Sequence, residues 1–323
     1  MKTAECVTPR HPDKMCDIIS DAILDSYLKQ DSESRVAVEV MGGHKKVYIS
    51  GEVTSKGDVL LEEVIKIVER VTGKKDNEVF LDIIKQSPDI ARGVDTGGAG
   101  DQGIMVGYAC NENEEMIPQE LYLARSLCKF IYNKHPEDGK TQITLNKKDR
   151  IKTIVASFCN VKKEELKKII TEWFLDKDIS KKMILHINPA GDWTQGGFDA
   201  DTGLTGRKLV VDNYGTRVAI GGGAFSGKDS SKVDRSGAYV ARKIAVDNLR
   251  IYNAKEVLVK IAYSIGVAEP VMVTVDIDGA RKEIKEIQGL EPREIIDYLC
   301  LQSPIFEESA KWGHFGNKFN WDK

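Results

Sequence analysis

The chain has 323 residues, with 47 Lys and Arg against 50 Asp and Glu, a formal net charge of −3 and 41% hydrophobic residues. That near-balance excludes a protein built around a broad basic nucleic-acid face, and the length suits a few modules with real cores. Six cysteines, at 6, 16, 110, 128, 159 and 300, include no C-x-x-C pair. This excludes a small disulfide framework and the usual zinc sites, and predicts free thiols in a reducing compartment. The opening MKTAECVTPRHPDK lacks an apolar signal core and no apolar run approaches ~18 residues, so a cytoplasmic location is expected.

Along the chain, residues 15–30 place Ile18, Ile19, Ala22, Ile23 and Leu28 at helical spacing, which predicts an amphipathic helix. A pattern then recurs. RVAVEVM and KKVYISGEVT read as strands followed by the helical VLLEEVIKIVERVTG; QITLN and IKTIVASFC precede VKKEELKKIITEWFL; EVLVKIAYSI and PVMVTVDI precede PREIIDYLCL. The class is therefore α+β, with three similar strand–strand–helix modules that repeat in pattern and not in residues. The expected division is 1–97 for the N-terminal module, 98–195 for the central one and 196–323 for the C-terminal one. In the first hairpin Val36, Val38 and Val40 alternate with Ala37, Glu39 and Met41. The second sheet face is thus not uniformly polar, which points to sheet-on-sheet contact between subunits. The connections DTGGAGDQG (95–103) and AGDWTQGGFDADTGLTGR (190–207) are rich in Gly and Asp, as functional loops often are.

The chemistry-bearing residues sit in such loops. RHPDK (10–14) brings His11, Asp13 and Lys14 to a helix N-terminus, which favours anions; a plain capping segment is the alternative. In GGGAFSGKD (221–229), Gly222, Gly227 and Lys228 satisfy G-x-x-x-x-G-K, but Asp229 stands where a P-loop has Ser or Thr. The following helix starts only near Asp234 to Ser236, so the Walker reading is rejected. The loop instead offers Lys228 and Lys232 to one oligophosphate, with Asp234 as a carboxylate for the accompanying Mg2+. DTGLTGRK (201–208) adds Asp201, Arg207 and Lys208, alone no more than a polar hairpin. Glu52, Gln86 and Asp101 are polar groups flanked by apolar strand or Gly. They suit the ammonium of a small amphoteric substrate, while a strand-edge charge and a turn-forming Asp remain open alternatives.

Taken together, HPDKMCDIISDAILD, GEVT, KQSPDI, GAGDQGIMVGYACNE, GLTGRKLVVDNYG, GGGAFSGKDSSKVDRSGAYVAR, YSIGVAEP and GHFG resemble the S-adenosylmethionine synthase (methionine adenosyltransferase) family, in family order from residue 11 to 316. The resemblance implies three similar α+β domains whose sheets pack between subunits of a dimer. It implies attack of methionine sulfur on C5′ of ATP, followed by hydrolysis of the released triphosphate to pyrophosphate and phosphate. By matching position, His11 lies near the departing oxygen, and Asp13 and Asp234 hold Mg2+, two ions per site. Glu39 is the K+ ligand. Lys14, Lys140, Arg207, Lys208 and Lys228 contact the triphosphate. Asp138, with Lys140 in the weaker match EDGKTQ, contacts the nucleotide. Glu52, Gln86, Asp101, Asp201 and Lys232 surround methionine and ribose, and Trp193 and Ile265 pack on adenine. Each family site is shared between two subunits, so a homodimer or a dimer of dimers is expected.

Departures stand beside these matches. Arg10 and Asp192 occupy positions where the family usually has Gly and a basic residue, and Trp193 replaces a common Phe. Only Thr96 and Gly97 separate SPDIARGVD from GAGDQG, where relatives carry a longer loop, so the 92–100 segment is expected to relax substrate selectivity. Two other classes stay open: another Mg-dependent enzyme acting on ATP or triphosphate, and a non-catalytic regulatory subunit. The first has no need of Glu52, Gln86, Asp101 and Lys232. The second is free to lose His11, Asp13, Lys228 and Asp234.

Overall fold

The computed structural model describes residues 1–86, 97–283 and 289–323. The first hairpin follows directly from its alternation. In β2 (Arg35–Gly43) Val36, Val38 and Val40 turn inward and are 0% exposed. Pairing with β3 (Lys46–Thr54) sets Ala37 opposite Glu52 and Glu39 opposite Ser50 on the other face. The connecting His44 and Lys45 both take positive φ, the twist a two-residue hairpin turn requires.

In chain order the remaining elements are β1 (Lys2–Val7) and α1 (Pro12–Gln30) ahead of this hairpin, then α2 (Leu61–Thr72) and β4 (Glu78–Lys85) after it. The middle third holds β5 (Gly103–Cys110), α3 (Gln119–Lys134), β6 (Gly139–Leu145), β7 (Ile151–Phe158), α4 (Lys163–Phe174) and β8 (Ile179–Ile187). The last third holds β9 (Gly203–Leu204), the short α5 (Leu209–Asp212), α6 (Val233–Ile251), β10 (Glu256–Tyr263), β11 (Met272–Ile277), β12 (Ala280–Glu283), α7 (Pro292–Leu299) and α8 (Phe306–Ala310).

The expected hairpins are all present, and each is fuller than the sequence suggested. A leading strand and a long helix precede every hairpin, and the leading strands are exchanged. The sheet orders are β9-β2-β3-β4, β1-β6-β7-β8 and β5-β10-β11-β12. Thus β1 completes the middle sheet, β5 the last and β9 the first. Segments 1–97, 98–195 and 196–323 each contain a hairpin and a long helix, yet none closes its own sheet. An isolated third would expose unpaired strand edges.

Helix α1 departs from the expected amphipathic form. Every residue from Pro12 to Leu28 is buried, because its polar side meets loops of the last third where solvent was expected. The long helix α6 lies so close to β5 that a Cβ on Gly107 would overlap the backbone of Ala241. Arg10 is not among the residues with positive φ, so its replacement of glycine demands no strained backbone; its guanidinium donates to the Val71 carbonyl at 2.6 Å. Among the described residues no helix is long and apolar enough to cross a membrane.

The C-terminal segment is pinned by a buried ion pair. Arg242, fully buried on α6, donates to Asp322 at 3.0 Å and to the carbonyls of Tyr108, Glu115 and Met116. Asp322 in turn accepts from the N–H groups of Gly316 and Asn317. Asp322→Ala leaves an uncompensated buried guanidinium and is expected to lose about 3–5 kcal/mol of stability, read from urea unfolding midpoints.

Candidate active site

One group of functional side chains forms around the start of α1. His11 is the N-cap, its Nδ1 accepting from the Asp13 N–H at 3.2 Å, and Pro12 follows at the first helical position. Asp13 accepts from the Leu204 N–H at 3.0 Å and from the Lys208 ammonium at 2.5 Å, with Arg207 at 3.4 Å. The β9 turn therefore docks on the helix start. Burial and then the ammonium groups of Lys208 and Lys140 push the His11 imidazole down to about 3, against Asp13. It is neutral at physiological pH, and since Nδ1 accepts, the proton is assigned to Nε2. Burial opposes ionisation of Asp13, but the Lys208 hydrogen bond and the Leu204 N–H hold it below the usual carboxylate range.

Lys14 does not join this group. Only 1% exposed, its ammonium is held by Asp212 at 2.7 Å and Asp17 at 3.1 Å. Asp17 also accepts from the Gly206 N–H at 2.8 Å. Lys14 thus anchors the segment that carries Arg207 and Lys208, and in this structure it is not turned towards a phosphate position. Asp138 is buried and accepts from the Gly197 N–H at 2.9 Å; burial raises its pKa, with Lys140 opposing. A cavity of about 460 Å³ opens beside Asp138, Gly196 and Arg10. Trp193 is half-buried, and its indole N–H has no hydrogen-bond partner among the described residues. Asp192 caps α4 through the Lys163 N–H at 3.0 Å, so this acidic departure has a structural role. Lys140 and Asp201 are exposed.

A second group gathers on β2. Gly227, at φ 81°, passes so close to β2 that a Cβ would overlap the Val38 carbonyl. Val38 N–H donates to Gly227 O and Asp229 N–H to Val36 O, both at 3.0 Å, so the GGGAFSGKD loop extends the sheet edge opposite Ala37. Asp229 is the stitch. Its carboxylate accepts from the Val36 N–H at 2.7 Å, the Ser231 N–H at 2.8 Å and the Lys232 ammonium. Lys228 projects to Asp234, 2.7 Å away in the first turn of α6. Glu39 lies two residues beyond Ala37 on the open sheet face, its side chain solvent-accessible but its carboxylate close enough to the sheet that partial desolvation raises its pKa, with Lys228 opposing. Glu52 is half-buried across the ladder from Ala37. Gln86 is buried, with its amide oxygen unpartnered among the described residues. Asp101 is exposed, and Ile265, 59% exposed, precedes Gly266, whose N–H donates to Ala99 O at 2.8 Å. Most of the 92–100 segment, residues 92–96, lies outside the described residues.

No ion pair among the described residues joins Asp13, Arg207 or Lys208 to Lys228, Lys232 or Asp234, although β2 and α1 carry both segments through the Val40–Thr205 and Asp21–Gly227 hydrogen bonds. No three His, Cys, Asp or Glu side chains among the described residues converge on a metal position. Each group instead neutralises itself, Asp13 with Lys208 and Asp234 with Lys228. Sequence reasoning missed the residues that hold both groups in place. Asp13, Asp17, Asp21 and Asp25 recur every four residues on one face of α1, all at most 4% exposed. Asp21 accepts from the Gly227 N–H and Asp25 from the N–H groups of Phe306 and Glu307. Four acids at helical spacing inside an apolar helix were the available signal.

Three family models match in succession: S-adenosylmethionine synthetase N-terminal domain over residues 1–89, central domain over 96–193 and C-terminal domain over 195–323. The S-adenosylmethionine synthases of Salinibacter ruber and Mycoplasmopsis synoviae are 39% and 42% identical to this chain, covering 99% of it and 95% and 94% of their own lengths. The fold matches a solved structure described as an unusual S-adenosylmethionine synthetase from Campylobacter jejuni, with a TM-score of 0.89 and 34% identity, over all of this chain and 96% of that one. With the repeated modules, the His11–Asp13 cap and the Lys228 loop all in family order, the chain belongs to the S-adenosylmethionine synthetase family.

Proposed function

We infer that the chain makes S-adenosylmethionine from ATP and L-methionine, each site combining the α1 group of one subunit with the Lys228 group of another. The observation that carries the shared site is that, within one chain, no ion pair among the described residues links Asp13, Arg207 or Lys208 to Lys228, Lys232 or Asp234. The sheet face that bears Glu39 supports it: Met41, Tyr48, Phe80, Ile84 and Leu204 stand 39–60% exposed there. Tyr48 and Phe80 stack with centroids 4.7 Å apart, giving an apolar surface suited to a second sheet.

The thioether of methionine is already nucleophilic, so no protein nucleophile is required. Its sulfur forms the bond to C5′ while the C5′–O bond breaks, and the electron pair leaves with the triphosphate. Rate enhancement rests on holding the two substrates in line and on cations already placed where oxygen charge develops. In this reading Nε2–H of neutral His11 donates to the departing oxygen, and Arg207, Lys208, Lys140 and Lys228 bind the triphosphate. Lys14 fixes the 206–212 segment. Trp193 stacks on adenine beside Ile265, and Asp138 and Asp201 accept from the nucleoside. Glu52, Gln86, Asp101 and Lys232 orient methionine; the unpartnered amide oxygen of Gln86 suits its ammonium. Water then cleaves the retained triphosphate to pyrophosphate and phosphate.

The family uses a divalent metal and potassium. The residues fit them: Asp13 and Asp234 are hard carboxylates that already attract a lysine each, one from each group, which is the sparse protein ligation Mg2+ accepts beside phosphate. Two Mg2+ ions, when bound, would add positive charge at the phosphate oxygens, and Glu39 would hold K+ at the sheet face. All six cysteines are unpaired, five of them buried, in keeping with a cytoplasmic enzyme.

Purified protein given ATP, methionine, Mg2+ and K+ is expected to yield S-adenosylmethionine, pyrophosphate and phosphate; omitting methionine separates a synthase from a plain triphosphatase. Lys228→Ala and Asp234→Asn are expected to lose roughly 10²–10³-fold in kcat while melting as the parent does. His11→Ala should lose about 10²-fold and His11→Asn, which keeps a donor, about tenfold less of that. Equal losses would remove the donor role. For the shared site, the inactive variants Lys208→Ala and Lys228→Ala are unfolded together and refolded as a mixture. Half of the dimers then pair unlike chains and carry one intact site, so about one quarter of parental activity should return. No recovery in a mixture that sedimentation shows to be dimeric would place both groups in one chain's site.

A further inference from the structure

A buried polar chain reaches the Lys228 loop from behind. Arg235, 0% exposed, forks onto Asp21, also 0% exposed, at 2.7 and 2.8 Å. The same guanidinium donates to the carbonyls of Phe225 at 3.0 Å and Lys228 at 2.9 Å, while Asp21 accepts from the Gly227 N–H at 2.8 Å. One ion pair therefore holds three backbone groups within residues 225–228. Nε of Arg235 donates to the Tyr239 hydroxyl at 3.0 Å, and that hydroxyl lies 2.7 Å from Nδ1 of the buried His314. The Tyr239 hydroxyl thus links Arg235 to His314, whose imidazole burial and neighbouring Arg235 keep neutral. Trp321 stacks on Tyr239 at 3.8 Å between centroids and donates to the His314 carbonyl at 2.6 Å, closing the far end.

We propose that Arg235, oriented by Asp21 and by the Tyr239–His314 pair, is a positioning residue for Lys228, setting where its ammonium meets the triphosphate. The inference rests on the role given to Lys228 above. A buried Asp–Arg pair need not stabilise a fold more than apolar residues would, so stability alone does not explain this one. What it supplies is geometry: the fork locks Nη1 and Nη2 onto the Asp21 carboxylate and so fixes Nη1 where it also reaches the Phe225 and Lys228 carbonyls, a placement that a freely rotating ammonium does not impose.

A double-mutant cycle tests this, with S-adenosylmethionine formation as the readout. Arg235→Lys keeps the charge and loses the fork. Tyr239→Phe keeps the stack on Trp321 and loses the hydroxyl. In the parent, Arg235→Lys is expected to lower kcat roughly 10–100-fold and Tyr239→Phe about threefold to tenfold. In the Lys228→Ala background, each should change the residual rate by less than about twofold, because the group being positioned is gone. Equal fold-losses in both backgrounds, or no loss in the parent, would overturn the positioning role. Should Arg235→Lys fail to fold in a thermal melt, Tyr239→Phe decides by the same criterion. Full activity of Lys228→Ala alone would overturn the role of Lys228 and this inference with it, whereas multiplicative losses on a crippled Lys228→Ala would sink the positioning alone.

Discussion

Four aspartates along one face of α1 are the constraint on which the functional loops depend. Asp13 receives the β9 turn, Asp17 the 206–212 segment through Gly206 and Lys14, Asp21 the Lys228 loop, and Asp25 the start of α8. Each hydrogen bond to a carboxylate contributes roughly 1.5–3 kcal/mol, and each aspartate is buried, so removing one leaves loop N–H groups without partners. A helix is the right element for this task. Its rise spaces the four acids about 6 Å apart, enough to receive separate strands of chain in succession.

Carboxylates on α1 and elsewhere keep the clustered lysines from repelling one another out of place. Lys208 faces Asp13, Lys228 faces Asp234, Lys232 faces Asp229 and Lys14 is shared by Asp17 and Asp212. In the proposed site these carboxylates would hold the positive charge until anionic substrate and metal compete for it. Oriented in advance, such groups need little reorganisation when charge develops on the leaving oxygen. Asp229 resolves the resemblance of GGGAFSGKD to a P-loop. Its carboxylate is buried, accepts from the Val36 and Ser231 N–H groups and is paired with Lys232, so it stitches the loop to β2 where a P-loop would present a hydroxyl.

Exchange of the leading strands gives this chemistry a rigid frame. Since β9 pairs with β2 at Met41 and Gly42, the segment bearing Arg207 and Lys208 is fixed to the first sheet although it belongs to the last third of the chain. The Lys228 loop pairs with the same β2 at Ala37, four residues away along the strand. Strand β2 thus receives both loops, with Glu39 between them on the open face.

Much of this was legible in the sequence. The hairpins were readable because β-branched alternation is local, and the family because GAGDQG, GGGAFSGKD and HPDK keep their order. The residue types on which the proposed site draws are visible in the sequence: lysines and an arginine suited to phosphate, and carboxylates suited to magnesium. The leading strands were not readable, since β1 and β5 pair with partners more than a hundred residues away and carry no local signal of them. The resemblance makes Lys14 a triphosphate contact, and only the tertiary structure shows its ammonium buried between Asp17 and Asp212, the latter nearly two hundred residues distant. Asp21 and Arg235 are 214 residues apart, and only folding buries them as one ion pair. Sequence by itself determined the family and which side-chain types are available for its chemistry, because both depend on residue identity and order. Tertiary structure decided which of them are free to meet substrate and which hold the others in place, because that depends on burial and on contacts between distant parts of the chain.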